Sequence, residues 1–302
     1  MKDKSSPLFV IFAAALWGID AVLLRPILFN LPVPLVVFLE STIATIIMTP
    51  FFIARKNQLK EISRKDYLVF FGVALFGGAI GTMAIVKALF FVNFVNLSIV
   101  VLIQKLQPIF AILLAALLLK EKLPKQFLMW ALLAVVGVLL LTFGYNLPNF
   151  KTGEKTIIAA LFALLAAFSF GSSTVLSKRA LSNVTFFTGT YLRFLFTSII
   201  MLLIVLFSNQ VSEFSAVSKY QWIIFLVIAF SSGGLAILLY YFGLKKVSAS
   251  VATICELAFP FTAILLEYIL RGNYLDFIQW IGAILLITSI LKVSWMNFQK
   301  NH

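Results

Sequence analysis

Residues 7–28, PLFVIFAAALWGIDAVLLRPIL, form the stretch of the chain that decides its fold. Asp20 and Arg25 are its charged residues, and nearly all the others are apolar. A helix rises about 1.5 Å per residue, so a helix of this length crosses the roughly 30 Å hydrocarbon core of a bilayer. The run is too long for the core of a signal peptide, and no convincing cleavage site follows it. It is therefore predicted to be a transmembrane helix.

The composition of the whole chain excludes a soluble globular protein. Of its 302 residues, 62% are hydrophobic and 12% are charged. Soluble domains carry roughly 45–50% apolar and about 25% charged residues. Water-compatible groups cannot cover so much apolar surface, and lipid is the alternative solvent. The chain is therefore predicted to be an integral membrane protein.

Ten apolar stretches follow one another along the chain, each close to the length of a membrane span. The connectors are short and carry turn residues or charges, such as Arg55-Lys56-Asn57 and Tyr145-Asn146-Leu147-Pro148-Asn149. This count predicts ten transmembrane helices, numbered here in chain order. The predicted spans are residues 7–28, 33–54, 67–90, 96–119, 124–144, 156–178, 184–207, 220–243, 248–270 and 275–295.

The lysines and arginines between the predicted spans lie mostly on one side of the membrane. With the N-terminus placed inside, sixteen fall inside and four fall outside. Because basic loops stay in the cytoplasm, both termini are predicted to be cytoplasmic, in the inner (plasma) membrane of a bacterium. The same bias explains the net charge of +13, so no nucleic-acid partner is expected. The inside residues are Lys2, Lys4, Arg55, Lys56, Lys60, Arg64, Lys65, Lys120, Lys122, Lys125, Lys178, Arg179, Lys245, Lys246, Lys292 and Lys300, and the outside residues are Lys151, Lys155, Lys219 and Arg271.

The two halves of the chain repeat each other. Leu16-Trp17-Gly18 aligns with Ser169-Phe170-Gly171, which stands 153 positions later. Pro108 aligns with Pro260 at a nearly equal offset of 152. Five spans per half is an odd number, so the second half must enter the membrane in the opposite orientation. Inverted repeats are common in secondary transporters, whose substrate site lies near the middle of the membrane between the repeats.

These patterns together predict an all-α membrane protein with ten transmembrane helices, arranged as two inverted five-helix repeats. The first repeat is predicted to cover residues 1–148 and the second residues 149–302. In this arrangement helix 1 corresponds to helix 6, and helix 4 corresponds to helix 9.

Short motifs recur at corresponding places in both halves. Helix 1 carries Ala15-Leu16-Trp17-Gly18, and Leu119-Lys120-Glu121-Lys122-Leu123 leads from helix 4, which contains Pro108, into helix 5. The second half has Gly243-Leu244-Lys245-Lys246-Val247-Ser248-Ala249-Ser250, followed by Pro260. In order and spacing these motifs resemble the drug/metabolite transporter superfamily, and within it the EamA-type ten-helix exporters. The resemblance implies this fold, helices 5 and 10 at the lipid-facing periphery, and export of amino acids or related metabolites.

Eight charged residues lie within or at the rim of the predicted spans. They are Asp20, Glu40, Glu256 and Glu267, together with Arg25, Lys87, Lys105 and Arg193. A charge in mid-membrane costs roughly 2.5–3.5 kcal/mol on insertion scales, so it normally faces a partner or a water-filled cavity. One interpretation is that opposite charges pair and stabilise the bundle. The other is that the deeper charges line a substrate site, whereas Arg25, Lys87 and Glu267 lie near helix ends and can reach the interface.

A second signal comes from the prolines inside helices 4 and 9. Pro108 and Pro260 each remove one backbone hydrogen bond, which is predicted to free the carbonyls of Gln104 and Glu256. Interrupted segments at corresponding places in two repeats point to a transport site, and the alternative is a structural kink. The two prolines are predicted hinges. The predicted substrate-binding residues are Trp17, Asp20, Glu40, Gln104, Lys105, Arg193 and Glu256, with Trp17 included because its ring can stack on a substrate.

The sequence offers little chemistry for an enzyme. It contains no recognisable enzyme motif. The single histidine, His302, is the last residue, and the single cysteine, Cys255, stands in an apolar stretch. No catalytic residue, metal or cofactor is therefore expected, and an intramembrane enzyme is the least favoured function.

The first function hypothesis is a secondary active or facilitative transporter that moves a small polar or amphipathic metabolite by alternating access. Its expected partners are the small-molecule substrate, membrane lipid and, for active transport, a coupling proton. Glu40, Lys105, Arg193 and Glu256 would contact the substrate or the proton, and a site with both signs of charge suits a zwitterion such as an amino acid. The alternative is a non-transporting membrane subunit or receptor whose intramembrane charges are structural ion pairs.

Overall fold

The computed structural model describes residues 5–54, 62–91, 97–146, 154–272 and 274–299 of the chain. It confirms an all-α membrane protein with ten helices long and apolar enough to cross a bilayer. We label them α1 to α10 in chain order. Their bounds are Ser6–Leu28, Val33–Ile53, Arg64–Ala88, Val100–Leu118, Lys125–Phe143, Lys155–Ala180, Phe186–Phe207, Lys219–Lys246, Ala249–Leu270 and Phe277–Met296.

Polar residues mark where several of these helices begin. At the start of α3 the Asp66 N–H donates to Ser63 Oγ at 3.2 Å, and the Ser63 N–H donates to the Asp66 carboxylate at 3.2 Å. Ser218 and Gln221 form the same reciprocal capping box at the start of α8. Such caps satisfy N–H groups that the first turn of a helix leaves unpaired. The beginnings of these spans are thus specified locally by the sequence.

The packing of the helices follows the predicted repeat. Helix α1 packs against α8 and α9, and its counterpart α6 packs against α3 and α4. Helix α2 packs against its own counterpart α7, and α5 packs against α10. The main packing partners of these helices are therefore related by the repeat. This pairing confirms the two inverted five-helix repeats.

Two repeat-related glycines allow close contacts between these helices. A Cβ atom on Gly18 of α1 would lie 2.7 Å from the Phe259 carbonyl oxygen of α9. A Cβ atom on Gly171 of α6 would lie 3.1 Å from the Gln107 carbonyl oxygen of α4. Small residues let membrane helices approach until their backbones touch. The alignment of Gly18 with Gly171 in the sequence therefore reflects the same helix crossing in each repeat.

Helices α5 and α10 form a pair at one side of the bundle. Gly137 and Gly282 bring the two backbones together, since a Cβ atom on Gly282 would lie 2.7 Å from the Gly137 carbonyl oxygen. Val138 is fully buried in this pair. Leu132 and Ile284 on the outward faces are 64% and 61% exposed. These faces are apolar surface of the kind that lipid covers.

Four helices are interrupted at corresponding places in the two repeats. Helix α3 contains a π-helical turn at Ala74–Ile80, and its counterpart α8 is broken at residues 231–233. Helix α4 is broken at residues 105–106, and its counterpart α9 at residues 256–257. Irregular turns inside helices are frequent at functional sites because they re-aim side chains and free backbone groups. The positions of these interruptions, within the helices rather than at their ends, therefore indicate a functional site in the middle of the bundle.

The prediction that Pro260 frees the carbonyl of Glu256 is wrong. The Glu256 carbonyl is not freed, because the Phe259 N–H donates to it at 3.0 Å in a tight turn. The break also shifts the alignment of the two halves by one residue. Gln104 is the last residue of its helical segment, as Cys255 is in α9, and Lys105 is the structural counterpart of Glu256. Both prolines stand in the first turn of the following segment, a position that proline tolerates.

Some sequence predictions fall outside the described residues. The connector at 55–57, the boundary at 148–149, the terminal residue His302 and the basic residues Lys2, Lys4, Lys56, Lys60, Lys151 and Lys300 are among them. The sidedness of the termini and the exact division of the chain at 148–149 therefore stay predictions.

Candidate functional site

Glu256 lies at the centre of a cage of hydrogen-bond donors from three other helices. Its Oε1 accepts from the hydroxyl of Tyr240 on α8 at 2.6 Å and from Oγ1 of Thr174 on α6 at 3.2 Å. Its Oε2 accepts from Nε2 of Gln107 on α4 at 3.1 Å. Neutral donors can hold a buried carboxylate in its charged form without an ion pair. The break at 256–257 in α9 places the carboxylate where these donors converge.

Aromatic rings stand beside this carboxylate. The Trp17 ring of α1 lies 5.4 Å from the Tyr240 ring, centroid to centroid. The Tyr241 ring lies 5.8 Å from the Tyr240 ring. Phe259 is on the turn of α9 that follows Glu256. Aromatic faces next to a hydrogen-bonded carboxylate suit a ligand that is flat, apolar on its faces and polar at an edge.

Lys105 contributes a cation from the equivalent break in the other repeat. Its Nζ lies 5.8 Å from the centre of the Phe259 ring, within cation–π range. Two residues further along α4, Gln107 donates to Glu256. Lys105 makes no salt bridge to any carboxylate in the described part of the chain. Its charge is therefore available to a ligand.

Arg193 of α7 contributes a second cation, next to Tyr241. Its Nη1 lies 3.4 Å from the Tyr241 hydroxyl, and its guanidinium carbon lies 5.8 Å from the Tyr241 ring centre. Gly77, in the π-helical turn of α3, leaves room for it, because a Cβ atom there would lie 3.4 Å from Nη2. Within the described ranges Arg193 has no salt bridge.

Asp20 and Glu40 lie elsewhere, in an ion triad with Arg25. Nη2 of Arg25 lies 2.7 Å from Oδ2 of Asp20, and Nη1 lies 2.8 Å from Oε1 of Glu40. The π-helical turn Asp20–Leu24 and the short 3₁₀ segment Arg25–Leu28 of α1 set these groups against α2. The Arg25 guanidinium is held by the two carboxylates, and its side chain is 36% exposed. Asp20 and Glu40 thus fit the interpretation of structural pairing.

The structure brings four of the predicted site residues into one connected network. Trp17, Lys105, Arg193 and Glu256 are joined through residues that the sequence interpretation left out. These are Gln107, Thr174, Tyr240, Tyr241 and Phe259. Gln107 and Thr174 are neutral polar residues inside apolar helices, which is a signal in the sequence but a weaker one than a charge. Gln104 ends its helical segment next to the network, and Gln107, three residues later, is the glutamine that contacts Glu256.

A separate cavity lies at the far end of α9. It has a volume of about 310 Å³ and is lined by Ile264, Glu267, Tyr274, Leu275 and Gln279. Ile264 and Glu267 stand three residues apart, so they share one face of the segment of α9 that follows the break. The cavity therefore lies beside this segment, toward the end of the bundle opposite the N-terminus.

Comparisons with known proteins agree with this architecture. A crystal structure of another protein superimposes with a TM-score of 0.79 over 99% of both chains at 19% identity. The riboflavin transporter ImpX of Fusobacterium nucleatum is 49% identical over 291 residues, covering 96% of this chain and 97% of the relative. An uncharacterized transporter of Bacillus subtilis, YetK, is 27% identical over 293 residues, covering 92% of this chain and 83% of the relative. The EamA-like transporter family matches residues 4–143 and 157–295. The chain is a member of the EamA-like transporter family, as the motifs in its sequence indicated.

Proposed function

We propose that this transporter carries riboflavin, or a flavin closely related to it, across the membrane by alternating access. The proposal rests on one observation above all: the relative named a riboflavin transporter shares 49% of its residues over 96% of this chain. Identity at this level extends through all ten helices and therefore through the helices that form the Glu256 network. The protein acts in the inner membrane of a bacterium with both termini in the cytoplasm.

The chemistry of the Glu256 network supports a flavin. Riboflavin is neutral near pH 7 and combines a flat tricyclic ring with a polar pyrimidine edge and a ribityl chain of hydroxyls. Trp17 and Phe259 offer aromatic faces to such a ring, and aromatic pairs contribute about 0.5–1.5 kcal/mol beyond their buried area. Glu256 and Lys105 offer an acceptor and a donor to the polar edge. Binding sites for small molecules have this combination of apolar walls and a few directed polar groups.

An amino acid is the substrate class that the resemblance and the mixed charges suggested. Lys105 and Glu256 could hold the carboxylate and ammonium groups of a zwitterion. A zwitterion does not account for the aromatic rings around the carboxylate, whereas a flavin uses both the rings and the charges. Riboflavin is therefore the substrate that we propose in place of an amino acid.

Flux into liposomes tests the proposal. Purified protein reconstituted into liposomes should carry riboflavin, which is followed directly by its fluorescence, faster than empty liposomes do. An excess of mixed amino acids should leave this flux unchanged. Repeating the assay with an imposed pH gradient measures whether a proton moves with the substrate. Flux of amino acids without flux of riboflavin would overturn the proposal, and riboflavin binding without flux would favour a receptor.

A pair of tryptophan variants localises the site. Trp17→Leu should reduce riboflavin flux strongly, because it removes one aromatic face. Trp222→Leu is the matched control, since Trp222 is 39% exposed and packs on Phe225 of its own helix. Equal loss of flux in both variants, with both proteins folded, would move the binding site away from Trp17.

A further inference from the structure

We infer that Glu256 accepts the N3–H of the flavin pyrimidine ring, while Lys105 and Arg193 donate to the carbonyls on either side of that N3–H. This inference rests on the proposed function, and it names the atoms by which the site selects its substrate. The recognised class is a planar heteroaromatic ring that ends in an imide edge, carbonyl–NH–carbonyl. No group outside the Glu256 network is needed.

The first step is the acceptor capacity of Glu256. A carboxylate has about four lone-pair positions on its two oxygens. Tyr240 and Thr174 occupy both positions on Oε1. Gln107 occupies one position on Oε2 at 3.1 Å. Among the described residues, one position on Oε2 is left for a donor that the ligand supplies.

The second step is the donor capacity of the two cations. Lys105 has three N–H donors, and its contact within the described residues is with the face of the Phe259 ring. Arg193 has five N–H donors, and one of them lies 3.4 Å from the Tyr241 hydroxyl. A hydrogen bond of that length is weak. Both side chains therefore keep most of their donors for a ligand.

The third step is that these groups are linked to one another. Gln107 stands two residues after Lys105 and donates to Glu256. Tyr240 donates to Glu256, and the adjacent Tyr241 contacts Arg193. The acceptor and the two donors are thereby held in one network that spans α4, α7, α8 and α9, with helices from both repeats.

The fourth step is complementarity. The pyrimidine edge of a flavin presents an acceptor, a donor and an acceptor in that order. One carboxylate and two cations in the same network can supply the acceptor and the two donors that complement this edge. An amino acid has no such edge, and a flat hydrocarbon has none either. A site that hydrogen-bonds a ligand N–H rejects an analogue without it, because its own polar group is then left unpaired.

Ligand analogues test the inference on the unmodified protein. Binding of riboflavin to the purified full-length protein in detergent is measured by quenching of flavin fluorescence, and N3-methylriboflavin is measured in the same way. The N3-methyl analogue should bind about tenfold to a hundredfold more weakly, the range expected for loss of a hydrogen bond to a charged group. An analogue with a dimethylamino group at C8 adds bulk at the opposite end of the ring and should bind about as well as riboflavin.

A pair of carboxyl-to-amide variants assigns the effect to Glu256. In Glu256→Gln the discrimination between riboflavin and the N3-methyl analogue should fall severalfold, since an amide oxygen is a weaker acceptor than a carboxylate. Glu213→Gln changes a carboxyl group on the short helix Val211–Ala216 between α7 and α8 and should leave the discrimination unchanged.

The outcomes separate this inference from the proposed function. Equal affinity for riboflavin and its N3-methyl analogue would overturn the inference, and riboflavin transport would still stand. Loss of discrimination in Glu213→Gln as well would also overturn it. Failure of riboflavin to bind folded protein would overturn the proposed function, and the inference with it. If Glu256→Gln does not fold, the affinities of the unmodified protein for riboflavin and the N3-methyl analogue still test the inference.

Discussion

Lys105 and Glu256 occupy the same position in the two repeats, each as the first residue after a helical segment that ends in mid-membrane. The N–H of Lys105 donates to the Val101 carbonyl at 3.1 Å, and the N–H of Glu256 donates to the Ala252 carbonyl at 2.9 Å. The two repeats thus place opposite charges at equivalent breaks. Glu256 is held by neutral donors, and Lys105 lies against the Phe259 ring. Opposite charges at equivalent positions could pair with each other, but Lys105 and Glu256 each contact other residues instead.

Neutralising either of these charges should affect transport more than stability. Glu256→Gln keeps the shape of the side chain, and Lys105→Met keeps most of its length. Neither leaves an ionic partner stranded among the described residues, so the free energy of unfolding should change by only about 1 kcal/mol. Riboflavin flux should fall by about tenfold or more, because a group that meets the substrate is lost. Melting temperature and liposome flux are measured on the same preparations.

The opposite ranking would contradict this site assignment. If both variants lose their melting transition while flux per folded molecule is preserved, the two charges are structural. Lys219→Met is a suitable control, because Lys219 is exposed at the start of α8.

Removing Arg25 should destabilise the protein. Arg25→Met would leave the Asp20 and Glu40 carboxylates facing each other without their shared cation. Removing one member of a buried ion pair costs about 3–5 kcal/mol, and we expect the lower end because the Arg25 side chain is 36% exposed. Thermal unfolding in detergent measures the loss. Adding Glu40→Gln to Arg25→Met should recover part of the stability, and absence of any recovery would show that charge is not the cause.

Adding a methyl group should harm one repeat more than the other. In Gly18→Ala the new Cβ would meet the Phe259 carbonyl oxygen at 2.7 Å and the Thr262 Cβ at 2.8 Å. In Gly171→Ala the nearest atom is the Ala111 nitrogen at 3.0 Å. Overpacking costs about 1–3 kcal/mol, and backbone cannot yield as a flexible side chain does. The fraction of folded protein after purification should therefore be lower for Gly18→Ala than for Gly171→Ala. The reverse order would mean that α1 and α9 are packed less closely at Gly18 than the structure shows.

Cysteine labelling tests the orientation in the membrane. Single cysteines in place of Asn57 and Asn149, in a background without Cys255, should react with impermeant reagents from opposite sides of the membrane. Asn57 is expected in the cytoplasm, since the basic loop around it belongs to the side with sixteen lysines and arginines. Cys255 is fully buried, so its removal is a precaution against labelling after unfolding. Reaction of both positions from one side would contradict the predicted topology.

The helix boundaries show how much of the fold can be derived from sequence. The predicted span at 7–28 and the observed helix Ser6–Leu28 differ by one residue, and the α2 prediction at 33–54 ends one residue beyond Val33–Ile53. Hydrophobic length is a local property, because lipid replaces water at every residue of the span. Helix α8 was predicted to end at 243 but extends to Lys246, whose charged end the hydrophobic pattern could not include.

The candidate site could be predicted only in part. The rarity of charge in the membrane singled out Lys105, Arg193 and Glu256, and all three lie in the network. The same criterion singled out Asp20 and Glu40, which pair with Arg25 instead. Tyr240 is not distinguished in the sequence from a tyrosine that only packs in an apolar helix, yet it makes the shortest hydrogen bond to Glu256, at 2.6 Å.

The sequence by itself determined that the chain lies in a membrane, that it has ten helices, and that its second half inverts its first. These features follow from the length and number of apolar runs and from the recurrence of Gly18 as Gly171, which need no knowledge of contacts between helices. Only the tertiary structure decided which charges pair with each other and which have other partners. That choice depends on how helices are rotated against one another, and residues as far apart as Gln107 and Glu256 meet only after the bundle has assembled. A charged residue in the membrane needs a partner, but the sequence alone does not show which residue that partner is.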